Sequence, residues 1–332
     1  MNIDLHNHVI PQLLAEAIIA DPAQFSTRVE TRNGIPHFEN RGMWTPLSPA
    51  FCDIEAKLEW MDRCRIDVAA LSVGPPVYFY YLPAAAGLAA ARLANDGIAK
   101  MVAQHPQRFR GMAHLPMQDP DAAVAELERV VREHGFKAVE LGTSIEGEQL
   151  ADPKYRKVLK AIEQAGCFVF THPYQCVAKG GTDLYYLRNF VGFPLDTTIM
   201  ISNLMFSGAL DDLTTLRFVF SHGGGYLPYQ LGRYIHGHRA RPEARVNNPT
   251  PPAELFKRFY FDALLYDGRS VRHLIEQAGA DHVVLGSDHP FDMCPPDVVG
   301  DLDTIPGLTT EEREWISSRT ALTLFGELPR GA

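Results

Sequence analysis

Cysteine is scarce in this 332-residue chain. The five cysteines (Cys52, Cys64, Cys167, Cys176 and Cys294) are widely scattered, and no two form a CxxC pair. An odd, dispersed set argues against a disulfide framework or a thiolate metal site and fits reduced thiols in a cytoplasmic protein. Long apolar runs are missing too, so no membrane span is expected. There is no surplus of positive charge. Thirty-one Lys and Arg face 40 Asp and Glu, giving a formal charge of −9, and no basic run occurs. Nucleic acid and anionic membrane surfaces are therefore not expected as partners. The opening residues, Met-Asn-Ile-Asp-Leu-His-Asn-His, lack the basic and apolar regions of a secretory signal. No solenoid-length repeat and no low-complexity linker divides the chain, so residues 1–332 are expected to form one domain. Apolar residues at 46% and charged residues at 21% exclude a disordered, collagenous or coiled-coil chain.

What recurs is a short apolar run, a loop, and a longer stretch of helical spacing. The short runs are Ile3–His6, Asp67–Val73, Phe109–Leu115, Ala138–Gly142, Cys167–Thr171, Arg217–Ser221, Arg258–Asp262 and His282–Ser287. Several are continuously apolar, as strands buried on both faces should be. Helical spacing occupies Ala84–Gln104, Asp121–His134, Lys154–Ala165 and Thr310–Leu324. Thr309 and Glu312 form a capping-box pattern before the last of these. Eight strands alternating with helices predict a (β/α)8 TIM barrel. An open doubly wound sheet is the alternative, disfavoured because no Gly-rich phosphate turn follows the first strand. Three stretches read as insertions. Residues 20–52 follow the first strand and contain short β-like pieces. Residues 174–200 follow the fifth and are rich in Tyr, Gly and Phe. Residues 236–254 are rich in Arg and Pro.

Polar residues stand at the carboxyl ends of the apolar runs, on the rim where barrel active sites lie. The first run leads into His6-Asn7-His8, the fifth into Thr171-His172-Pro173, the sixth into Ser221-His222 and three glycines, and the eighth into Ser287-Asp288-His289. Residues two apart on a strand share a face, so His6 and His8 can both look into the barrel mouth. Imidazoles and one carboxylate converging from separate strands form a nitrogen/oxygen set suited to Zn²⁺ or a similar divalent metal. Taken singly, each has a plainer reading. A lone strand-end His is usually structural, and Asp288 could cap the segment that follows. Aromatic residues gather in the insertions and loops: Trp44, Tyr78, Phe79, Tyr80, Tyr174, Tyr185, Tyr186, Phe190 and Phe193. Some belong to the core, and the others suit a pocket for a flat, conjugated acid.

Together these motifs resemble the amidohydrolase superfamily, specifically its amidohydrolase-2 branch and, within it, the 2-amino-3-carboxymuconate-6-semialdehyde decarboxylase family. The resemblance runs nearly end to end. It includes Ile3-Asp4-Leu5-His6-Asn7-His8, Gln104-His105-Pro106-Gln107-Arg108-Phe109, Leu115-Pro116-Met117-Gln118-Asp119, Thr171-His172-Pro173, Ser221-His222-Gly223-Gly224-Gly225 with Leu231-Gly232-Arg233, and Gly286-Ser287-Asp288. It implies one zinc per subunit, with Mn²⁺ or Fe²⁺ as alternatives, held by His6, His8, His172 and Asp288. It also implies that His222, together with Asp288, handles protons. Arg233 matches an arginine that binds a substrate carboxylate in the neighbouring subunit's site, which implies a homodimer. Where similar proteins carry a second substrate arginine, the register here falls near Thr45. Arg41 lies close by and is the candidate replacement, with Trp44 and Tyr174 as further substrate-contact candidates. His289 departs from the tyrosine common at its position. Glu140 and His114, at strand ends, read as structural or pocket-lining.

The same metal set serves two chemistries. One is decarboxylation of an unsaturated or aromatic carboxylic acid in aromatic-compound catabolism. The other is hydrolysis or hydration of a ring-cleavage product such as a lactone, ester or amide. Resemblance favours decarboxylation, since ligands alone do not separate them. A non-catalytic metal-binding scaffold is the remaining class, and the complete set of His6, His8, His172, His222 and Asp288 speaks against it.

Overall fold

A computed structural model describes residues 1–176 and 180–327. Eight parallel strands form a nearly closed barrel: β1 (Ile3–Val9), β2 (Val68–Val73), β3 (Phe109–His114), β4 (Ala138–Gly142), β5 (Phe168–His172), β6 (Phe218–Phe220), β7 (Phe259–Asp262) and β8 (Val283–Val284). They pair in sequence order, and β8 returns to β1 through bridges Asp4–Leu285 and Asn7–His289. Almost every strand residue is buried, the pattern expected when helices cover the outside and side chains fill the inside. Ile3, Leu5, Val68, Ala70, Met112, Phe168, Phe170 and Val219 pack inside the barrel. Leu324 and Phe325 of the last helix join this cluster and plug the end opposite the histidines. Charge and polarity concentrate at the other end because only there does the interior lack apolar filling.

β1 carries an irregularity that matters for the site. Asp4 pairs with Ala69 and Asn7 with Leu71, so three steps on β1 match two on β2. This bulge lets neighbours share the interior. Leu5 sits in the inner cluster, and His6 packs its ring 4.9 Å from that of Phe170 in the same cluster. A regular strand would turn one of them outward.

The helix expected at Ala84–Gln104 has those limits. The next two run Pro120–His134 and Arg156–Gln164, the latter entered through a short 3-10 turn. The last helix is not continuous. A π turn at Trp315–Arg319 separates Thr310–Glu314 from Thr320–Phe325, and the Thr309–Glu312 capping box is formed. The eighth strand is shorter than the expected His282–Ser287, and beyond it Leu285 and His289 bridge to β1, with Gly286 packed closely between neighbouring strands. A Cβ there would lie 2.8 Å from the His6 Cβ and 3.1 Å from that of Asp262. Between β1 and β2 lies a separate antiparallel sheet of Arg28–Arg32, Ile35–Asn40 and Met43–Pro46. After β5 come a one-turn π helix, Arg188–Gly192, and the helix Phe193–Phe206.

Candidate metal centre and adjoining cavity

The strand ends bring four ligand atoms to one point. Asp288 Oδ1 lies 3.3 Å from His6 Nε2, 3.2 Å from His8 Nε2 and 3.6 Å from His172 Nε2. All four of these atoms are buried and have no hydrogen-bond partner. One bare imidazole nitrogen can be tolerated in a core, but four orphaned polar atoms aimed at each other are costly unless a cation stands between them. The donor set therefore fits a divalent metal of borderline softness. His222 Nε2 approaches the second oxygen, Oδ2, at 3.6 Å. His6, His172, His222 and Asp288 also form a group whose ligand atoms lie within 4.8 Å of one another.

Hydrogen bonds behind the site fix which nitrogen faces inward. His6 Nδ1 donates to Asp262 Oδ2 at 2.7 Å, and His172 Nδ1 donates to the Pro173 carbonyl at 2.8 Å, leaving each Nε2 as the free donor atom. Asp262 Oδ1 accepts the amides of Gly223 and Leu264. Burial would raise the Asp262 pKa, but the His6 hydrogen bond and charge outweigh it and hold the carboxylate below its usual range. Burial also works against a charged His6, yet the carboxylates of Asp288 and Asp262 dominate and hold its pKa up at about 10. The surroundings thus favour positive charge at this position. Burial, with neighbouring His172 and His6, drives His8 down to about 3, toward the neutral ligand form. In Asp288, burial is outweighed by the histidines, which keep it ionised. Burial lowers the pKa of His222.

A second layer ties β1 to the turn carrying Asp288. Asp4 accepts from the Ser287 hydroxyl at 2.6 Å and from Asn7 Nδ2 at 2.7 Å. Lys57 is wholly buried. Its Nζ donates to Asn7 Oδ1 and the His8 carbonyl and lies 2.8 Å from His289 Nδ1. Burial brings Lys57 down to about 7. His289 stacks on Trp60 at 3.8 Å, so this departure from tyrosine serves the support layer. The Glu140 carboxylate accepts a short bond from the Tyr78 hydroxyl, and its other oxygen is 3.8 Å from His8 Nδ1. His114 Nε2 donates to the Tyr78 carbonyl at 2.9 Å.

Beside His172, His222 and Asp288 opens a cavity of about 360 Å³. Its walls include Met43, Pro75, Pro76, Tyr174, Tyr186, Phe193 and Phe291, with Asp183, Arg188, Asn189 and Asp292 among the polar residues. A neighbouring lobe of about 350 Å³ shares His222, Asp288, Phe193 and Asn189 and reaches Tyr226 and Tyr266. Tyr174 is thus placed at the cavity. Arg41 and Trp44 are not among its lining residues. Arg41 is held by a two-point ion pair with Glu146 and lies over the Tyr81 ring, while Trp44 is covered by the Arg32 guanidinium at 3.8 Å. Arg233 is exposed on the helix Leu227–Ala240 and does not line its own chain's cavity. Sequence reasoning missed Asp262, Asp4, Lys57 and Arg188. Asp262 and Asp4 carried a signal, as acids within the apolar strands Phe-Tyr-Phe-Asp and Ile-Asp-Leu.

A parallel barrel whose strand ends bring imidazoles and a carboxylate together holds a group of side chains able to bind a metal ion. The chain belongs to the amidohydrolase family, whose model matches residues 3–326. It is 33% identical to 2-amino-3-carboxymuconate-6-semialdehyde decarboxylase of Dictyostelium discoideum over 82% of this chain and 74% of that one. Its fold matches 5-carboxyvanillate decarboxylase from Sphingomonas paucimobilis, with a TM-score of 0.83, 23% identity and 98% of each chain covered. It also matches dihydroxybenzoic acid decarboxylase from Polaromonas sp. JS666, solved with bound manganese and 2-nitroresorcinol. There the TM-score is 0.76 and the identity 22%, over 98% of this chain and 96% of that one. No helix among the described residues is long and apolar enough to cross a membrane.

Proposed function

We propose that this chain is a metal-dependent decarboxylase of an aromatic or unsaturated carboxylic acid. The observation that carries the metal is the convergence of four orphaned atoms, His6, His8 and His172 Nε2 with Asp288 Oδ1. Similarity to decarboxylases over most of the chain supports the reaction type. His6, His8, His172 and Asp288 would hold the ion. We take it as zinc, although manganese, bound in the Polaromonas protein, suits the same donors. A divalent ion held there would supply Lewis-acid polarisation to a substrate oxygen next to the scissile bond.

The remaining work falls to side chains. Tyr174, Phe193 and Phe291 wall the cavity with apolar surface suited to a flat ring. His222 sits where cavity and ligand cluster meet. As an imidazole it can give a proton to the carbon that loses CO₂ and recover one afterwards. Asp288 Oδ2, 3.6 Å from His222 Nε2, balances the charge of that ring when it is protonated. Arg233, exposed on its helix, is free to reach a second subunit, so we read the active form as a homodimer.

The test is CO₂ release from a panel of hydroxybenzoates and muconate semialdehydes by metal-loaded protein. CO₂ with the decarboxylated product supports the proposal, whereas acid formation without CO₂ assigns hydrolysis instead. His222→Asn should retain metal and fold but lose about 10²–10⁴-fold in turnover. Unchanged turnover removes His222 from the reaction.

A further inference from the structure

We propose that Arg188 supplies, from within the same chain, the positive charge that holds a second anionic group of the substrate, one that remains in the product. The inference rests on the decarboxylase reading for its reaction and adds a substrate class: an aromatic or unsaturated acid bearing a further carboxylate.

Arg188 lines the 360 Å³ cavity together with His172, His222 and Asp288. It is half-buried, and its Nε is shut off from water with no hydrogen-bond partner. Among the described residues no carboxylate lies within ion-pair distance of it. Arg41 differs, because Glu146 already neutralises it. Of the acids on the same wall, Asp292 accepts the Tyr186 hydroxyl at 2.9 Å. A guanidinium drawn partly out of water with unfilled donors is unfavourable by itself, and a planar carboxylate is the anion whose shape fills two of those donors at once.

The backbone around Arg188 is built rather than casual. Tyr185 and Tyr186 both adopt left-handed conformations, φ 58° and 61°, three and two residues before it. Arg188 then opens the one-turn π helix that feeds the helix Phe193–Phe206. The turn is pinned at Gly192, where a Cβ would lie 2.0 Å from Cys176 Sγ. Single π turns and strained residues of this kind persist where the fold holds them and concentrate at functional sites.

Which anionic group Arg188 holds follows from the reaction. A carboxylate that departs as CO₂ loses its charge in the transition state. An arginine paired with it would stabilise the reactant more than the transition state and slow the reaction. A charge that stays on the product is held equally in both, so its anchor lowers KM and leaves the chemical step alone.

The test is calorimetric titration of manganese-loaded protein with isophthalate and benzoate, which differ by one carboxylate. Wild type should bind isophthalate about 10- to 100-fold more tightly. Arg188→Met should abolish that preference and Arg188→Lys should restore part of it, with metal content and thermal midpoint unchanged. On a turned-over diacid, Arg188→Met should raise KM by a similar factor with little change in kcat. A wild-type protein with no preference, or a preference that survives Arg188→Met, overturns the proposal. So does one that survives there but vanishes in Arg233→Met, which would place the anchor on the partner's helix. Selective isophthalate binding without CO₂ release from any acid defeats the decarboxylase reading while leaving the anchor in place.

Discussion

At the scale of single residues, the site depends on groups that never meet the ion. His6 presents Nε2 only because Nδ1–H is taken by Asp262, itself fixed by two backbone amides. Asp262→Asn keeps the shape but lets the amide rotate and present N–H groups to a nitrogen that is itself a donor. Metal affinity should fall about 10- to 100-fold, measured by titration against a competing chelator. An unchanged dissociation constant would show that Asp262 does not tune His6. Residue chemistry was legible in sequence where a polar side chain interrupted apolar strand logic, as at His6, His8, His172 and Asp288. Lys57 was not. It lies in the helix Ile54–Arg63, and only the fold shows its ammonium reaching through to Asn7 and the His8 carbonyl. Arg41 and Trp44 were candidates from the register of the insertion after the first strand, and the sequence does not show that Arg41 pairs with Glu146 or that the Arg32 guanidinium lies over Trp44.

At the scale of elements, turns carry as much of the design as helices do. His222, Gly223, Gly224 and Gly225 have φ of 53°, 61°, 76° and 65° in succession. A Cβ at Gly225 would stand 2.2 Å from the Pro194 carbonyl oxygen, so only glycine lets the chain turn tightly enough to aim His222 at Asp288. That run was visible as a motif, but its conformation was not. The bulge in β1 and the early end of β8 were likewise hidden, because both arise from closing the barrel rather than from local propensity. The Thr309–Glu312 capping box was readable because capping is local. Glu312 also receives both arms of Arg272, at 2.8 and 3.0 Å. The Arg272 bonds and the Thr309 amide bring its pKa from 4.5 down to about 2. A carboxylate ionised more readily when folded stabilises fully above pH 4.5, and that contribution fades as pH falls toward 2. With the side chain one-quarter exposed, solvent screening leaves about 1–2 kcal/mol. Glu312→Gln should therefore lower the thermal midpoint by a few degrees at pH 7, with the gap narrowing as pH falls from 5. A gap independent of pH would mean that the charge of Glu312 contributes nothing.

At the scale of the whole molecule, strands separated by up to 280 residues meet at one rim, and the barrel spends its polar side chains there. The opposite end is closed by Leu324 and Phe325 and the interior is filled by aromatic and aliphatic side chains, so inside the barrel the rim is where charge is held. The same geometry makes folding and metal binding interdependent. The four orphaned atoms are neighbours only in the native state, and an ion that bridges them binds the folded chain far better than the unfolded one. Such a ligand stabilises by RT ln(1 + [L]/Kd), about 4 kcal/mol at a thousandfold excess over Kd. For a chain this long, that moves the thermal midpoint by on the order of 6 °C. Chelator-treated protein should melt lower by that amount, and Zn²⁺ or Mn²⁺ returned to the same excess should restore most of the loss. His172→Ala should show neither the loss nor the recovery in full, since its imidazole would be missing from the cluster. If the midpoint ignores both chelator and metal, and the loaded protein holds no stoichiometric ion, the cluster is a packing arrangement of histidines, and the catalytic roles of His222 and Asp288 fall with it.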